Sequence, residues 1–148
     1  MFEPDMKDVE ILKELCNDSR KSFREIARKI GIATSTLIKR FNTMKKEGII
    51  KSSTLEIDYE KLGYPLTALI EVMVSKGKLI EVENKIAKLP NVYGVYDLTG
   101  ESDMIILARF KTRKDLNAFI KSELVSEHIE RTNTRLILNA VKEEYNIL

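Results

Sequence analysis

A single glycine constrains this chain more than any other feature. Gly31 separates two apolar patterns, Phe23, Ile26, Ala27 and Ile30 before it and Leu37, Phe41 and Met44 after it. Spacings of three and four put each set on one face of a helix. A glycine directly after the last periodic residue lets the backbone adopt a left-handed conformation, so the two helices meet at a sharp turn. Ser22 stands three residues before Glu25, the spacing of a capping box, and opens the first of them. Ahead of it, Val9, Ile11, Leu12 and Leu15 recur at helical spacing, with Asp5 or Asp8 available as a cap, which predicts a helix over about 5–17. Gly48 stops the last helix, and Ile49 to Ile57, IIKSSTLEI, reads as an extended segment. Three helices and a strand with a glycine turn before the third helix form a helix-turn-helix with a wing.

Charge is distributed to match. Residues 1–18 hold two Lys against six acids, a local charge of −4, whereas residues 19–51 hold ten Lys or Arg against Glu25 and Glu47, a local charge of +8. Such a concentration suits a polyanion. The third helix presents Thr34, Ser35, Lys39, Asn42 and Lys46 on the face opposite its apolar residues, with Arg40 flanking them. In a helix-turn-helix the second helix crosses the phosphate backbone and the third enters the major groove of double-stranded DNA. The candidate DNA contacts are Ser22, Thr34, Ser35, Thr36, Lys39 and Arg40: hydroxyls for phosphates or bases, Arg40 for a bidentate guanine contact. The same residues would also suit a plain three-helix bundle with capping hydroxyls and solvated bases, but it leaves unexplained why hydroxyls, cations and apolar face all fall where docking requires them.

The remaining features narrow the class. No apolar run approaches a membrane span, and the acidic start differs from a secretory signal, so no membrane partner and a cytoplasmic location are expected. Cys16, the one cysteine of the 148 residues, is expected to be a buried structural residue. No catalytic residue, metal site or cofactor is expected.

After Gly63-Tyr64-Pro65 the pattern becomes strands and helices in alternation. Strands are expected at Leu66 to Val74, Val92 to Leu98, Met104 to Phe110 and about Thr132 to Lys142, and helices at Lys78 to Leu89 and about Thr112 to Leu124. That order is the ferredoxin-like βαββαβ arrangement, an antiparallel sheet with both helices on one face. The chain is thus expected to be α+β: a winged helix-turn-helix at 1–51, a linker strand and hinge at 52–64, and a sheet domain at 65–148. The uncovered sheet face is apolar enough to need a second copy, and a homodimer would set two recognition helices on half-sites roughly 34 Å apart in a palindrome.

Several stretches, in order and with matching spacing, resemble the feast/famine regulators typified by the leucine-responsive regulatory protein and its asparagine-responsive relative, the Lrp/AsnC family. These are D-x-x-D-x-x-I-L at Asp5, Asp8, Ile11 and Leu12, R-K-S-F-R-E-I-A at 20–27, Gly31-Ile32, Lys39-Arg40 before the E-G-I-I of 47–50, D-Y-E-K-L-G-Y at 58–64, T-G-E-S-D at 99–103, and Thr132 with Thr134. The resemblance implies a transcriptional regulator whose sheet domain dimerises, assembles further into tetramers or octamers, and binds an amino acid or related metabolite. It carries effector contacts onto Thr99, Gly100, Asp103, Thr132 and Thr134, with Asp103 suited to an α-amino group. A second reading of the turn stands beside this one: Gly100 satisfying a backbone angle and Asp103 capping the turn. Two departures are visible. Ala33 occupies the place where the family has Ser opening the third helix, so the cap shifts to Thr34 or is lost, and Ser102 replaces an aromatic residue in the effector turn. The rival readings are an enzyme resembling the haem-pathway decarboxylases of the same architecture, for which His128 is the sole histidine, and a sensing module without DNA binding.

Overall fold

The computed structural model describes residues 2–144 and 147–148. They fall into two compact units, Met1–Glu56 with Lys142–Leu148, and Ile57–Val141. Residues 145 and 146 of the expected 65–148 domain lie outside the described residues.

The first unit holds α1 (Met6–Asn17), α2 (Phe23–Ile30) and α3 (Thr34–Lys46). The starts of α1 and α2 and the end of α2 have local causes. Asp5 caps α1 by accepting from the N–H groups of Lys7 and Asp8 at 2.8 and 3.0 Å, and the Asp8 carboxylate accepts from the Asp5 N–H in return. Ser22 and Glu25 form the same reciprocal box on α2. Gly31 ends α2 at φ 72°, where a side chain would be strained. Ile11, Ile26, Ala27, Leu37 and Met44 are buried between the three helices, with the Phe23 and Phe41 rings 4.9 Å apart beside them. Cys16, expected inside, is exposed: five residues beyond Ile11, it lies about 140° around α1 from the buried face.

The expected wing strand is also revised. Residues 51–57 are exposed and form no strand, because among the described residues no other segment supplies the ladder of hydrogen bonds that extended backbone requires. The expected hinge is partly ordered: Asp58 Oδ1 accepts from the Lys61 N–H, Gly63 takes φ 93°, and the Arg109 guanidinium lies 4.2 and 4.3 Å from the Tyr59 and Tyr93 rings, fixing this turn to the second unit.

The second unit runs β1 (Leu66–Val74), α4 (Leu79–Ile86), β2 (Val92–Asp97), β3 (Met104–Phe110), α5 (Arg113–Glu123) and β4 (Ile129–Ile137). The sheet order is β2-β3-β1-β4 and every pairing is antiparallel. Ala68, Ile70 and Val72 of β1 and Met104, Ile106, Ala108 and Phe110 of β3 point to the helix face, where Val82, Ile86, Leu116 and Phe119 close the core. β4 spans 129–137 instead of about 132–142, since its length is set by its partner: Ile129 pairs with Val74 and Ile137 with Thr67, near the two ends of β1. Helix α4 ends at Ile86, three residues before Leu89, in tight turns ahead of Pro90. One carboxyl in this unit is poorly solvated. Glu83 of α4 faces Asp97 at the end of edge strand β2, and its Oε1 is buried without a hydrogen-bond partner. Burial, followed by the hydrogen bond and charge of Asp97, raises its pKa from 4.5 to about 7.

Candidate functional site

Helix α3 turns its buried side, Leu37 and Met44, toward α1 and α2, which leaves Ser35, Ile38, Lys39, Asn42, Thr43 and Lys46 along a shallow outer groove of ≈ 440 Å³. Ser35, Thr36, Lys39 and Asn42 are exposed and Thr34 is half-buried. Ala33 supplies no side-chain cap, so the expected cap is lost and does not pass to Thr34. The first N–H groups of α3 are left to solvent or to an acceptor from outside. Ser22 lies at the start of α2, its hydroxyl engaged with Glu25.

Arg40 is the principal revision. Its position, 60° from Leu37 around the helix, turns it toward α1 and away from the outer groove. Nη1 donates to Asp5 Oδ2 at 2.8 Å and to Asp8 Oδ1 at 3.0 Å. These contacts raise the Arg40 pKa; Asp5 is held below the usual carboxylate range by the Asp8 N–H and then by Arg40. The guanidinium that the sequence offers for guanine is therefore tied to helix α1. Glu14 similarly gathers Lys21 at 2.8 Å and Lys29, which lower its pKa in that order. Lys39 forms no ion pair among the described residues. Sequence periodicity missed Ile38, 41% exposed on the outer arc, although its 100° offset from Leu37 is the signal that finds it.

In the second unit, a concavity of ≈ 300 Å³ opens between the turn after β2 and the outer sheet face, lined by Leu98, Thr99, Glu101 and Ser102 from the turn and by Glu71, Met73, Arg131, Asn133 and Arg135 from the strands. Glu71 accepts from Asn133 Nδ2 at 2.7 Å and Arg135 Nη2 at 3.2 Å. Thr132 and Thr134 are not part of it. They pair with Val72 and Ile70 and share the helix face with them, so strand alternation turns them away and presents Arg131, Asn133 and Arg135 instead. Only the register, invisible in the sequence, reveals this. Gly100 occupies the turn at φ 123°. Asp103 is occupied by backbone: Oδ2 accepts from the Val74 N–H at 2.7 Å, its own N–H donates to Val72 O at 3.0 Å and its carbonyl accepts from Leu98 N–H at 2.8 Å. It anchors the turn to β1. His128, ahead of β4, lies 3.8 Å from Glu81 and 3.6 Å from Glu127. Among the described residues no helix is long and apolar enough to cross a membrane.

Comparison with known proteins agrees with both units. Residues 5–51 match the model of a winged helix-turn-helix DNA-binding domain, and residues 67–147 that of the Lrp/AsnC ligand binding domain. An HTH-type transcriptional regulator of Pyrococcus furiosus is 43% identical over 146 residues, 99% of each chain. The HTH-type transcriptional regulator FL11 of Pyrococcus horikoshii is 38% identical over 136 residues, 92% of this chain and 90% of its own. The solved structure of E. coli AsnC superposes with a TM-score of 0.91 over 97% of both chains at 23% identity, a likeness of fold. These relatives are regulators, and the decarboxylase alternative is set aside. The chain belongs to the Lrp/AsnC family of helix-turn-helix, DNA-binding transcriptional regulators.

Proposed function

We propose that the protein acts as a homodimer that sets two copies of α3 on the half-sites of a palindromic DNA site, and that a small zwitterion of the amino-acid class modulates it from the concavity at the Thr99–Ser102 turn. The observation that carries the first part is the outer face of α3, where Ser35, Lys39 and Asn42 stand exposed with no ion pair to a neighbouring acid among the described residues. Cations and short polar side chains on a groove-sized helix are the elements of duplex recognition, and they argue against a sensing module that has lost DNA. The dimer is supported by the outer sheet face, where Leu69, Met73, Tyr96, Ile105, Leu107 and Ile137 form an apolar surface that no helix of this unit covers among the described residues. Further association into tetramers or octamers would use other faces of the same unit.

The effector reading rests on chemistry. Arg131 can take a ligand carboxylate bidentately, while Glu71 or Glu101 can take an ammonium group. Thr99 and Ser102 add hydroxyls, Gly100 shapes the turn, and Asp103 supports the wall from behind.

The test is sedimentation of the full chain with mobility shift on sites enriched from random duplexes. The expected result is a dimer or multiple of dimers, two-fold symmetric sites, and at least tenfold weaker binding by Lys39→Ala at unchanged mass. A monomer, or a variant binding as tightly as the parent, overturns the reading. For the effector, a thermal-shift panel of amino acids should show a ligand that stabilises the parent and not Arg131→Ala.

A further inference from the structure

With Arg40 tied to Asp5 and Asp8, the outer face of α3 keeps no guanidinium, the commonest reader of guanine. What it offers at its centre is an apolar side chain beside an amide. Ile38 is 41% exposed although Leu37, Phe41 and Met44 already satisfy the helix's apolar face. An isolated exposed isoleucine is ordinary on a protein surface. This one is flanked along the helix by Ser35 and Asn42, has Lys39 beside it and Lys46 beyond, and carries a β-branch that costs helix propensity without reaching the core. Thr43, the remaining side chain of the groove, donates its hydroxyl back to Lys39 O at 3.0 Å. Asn42 is exposed, and its amide makes no hydrogen bond among the described residues.

We propose that Ile38 and Asn42 fix A·T base pairs in each half-site, Ile38 by packing on a thymine C5-methyl and Asn42 by pairing with the N6 and N7 edge of an adenine. Four residues of helix advance about 6 Å, and stacked bases advance roughly 3.4 Å per step, so the two contacted pairs are neighbours or have a single pair between them. Lysines rim the groove and supply the attraction for the duplex, which commits this face to DNA. The inference rests on the DNA-binding reading and adds which bases are read.

The test uses the full chain and its enriched duplex, with base analogues that remove one atom group at a time. Replacing the contacted thymine by deoxyuridine deletes only the methyl. It should weaken parent binding roughly fourfold, the worth of one buried methyl, and leave Ile38→Ala binding unaffected. Replacing the contacted adenine by 7-deazaadenine removes N7; it should cost the parent about fivefold and Asn42→Ala nothing. Analogue penalties that are absent from the parent at every position, or of equal size in parent and variants, would overturn the proposal while leaving DNA binding intact. A parent that enriches no sequence from the pool would overturn the DNA-binding reading and this proposal together.

Discussion

Asp8 is 2% exposed, and a carboxylate there is tolerable because Arg40 Nη1 and the Asp5 N–H both sit against it. Truncating the guanidinium leaves that charge unpaired. Arg40→Ala is expected to cost about 2 kcal/mol, read as a lowered Tm, whereas Lys39→Ala should leave Tm unchanged and weaken DNA binding only. That outcome would separate two adjacent cations into a structural and a functional one. Glu83 provides a second residue-scale expectation. Its carboxyl titrates near 7 in the folded chain against 4.5 ordinarily, so between those values the folded state keeps a proton that the unfolded state has released. Stability is full below pH 4.5, falls as pH rises through 7, and stays lower above it. Glu83→Gln should erase that slope, raising Tm at pH 8 and changing it little at pH 4; equal shifts at both would show that the carboxyl is not the source.

Helix termini are decided by residues a few positions apart, and they were legible in the sequence: Asp5, the Ser22–Glu25 box and Gly31 all act where their spacing puts them. Strands are decided by partners far along the chain. β4 takes its ends from β1, some sixty residues earlier, and the same register turns Thr132 and Thr134 to the helix face and brings Arg131 to the concavity. The Arg40 contacts with Asp5 and Asp8 span 35 and 32 residues, equally out of reach of periodicity. Ala33, like Lys78 ahead of α4, is a helix start without a side-chain cap. A hydroxyl at this position would accept from the Thr36 N–H, so Ala33→Ser should stabilise the domain by about 1 kcal/mol, measured by chemical denaturation. If a DNA phosphate normally occupies those N–H groups, the same variant binds DNA less well.

At the scale of the whole molecule, the sum of formal charges overstates what the helical unit offers to a duplex. Of the ten cations between residues 19 and 51, Arg20, Lys21, Lys29 and Arg40 already face Asp18, Glu14, Asp5 or Asp8. A cation held by its own carboxylate displaces few condensed counterions when DNA arrives. With six cations remaining and about 0.9 ion released per phosphate neutralised, a plot of log affinity against log salt should have a slope no steeper than about −5 per subunit, where all ten would give about −9. Titrating binding between 50 and 300 mM KCl would distinguish the two values. The internal acids therefore act as a brake on nonspecific adhesion: they leave enough charge to find DNA, and hand more of the remaining affinity to contacts that depend on sequence.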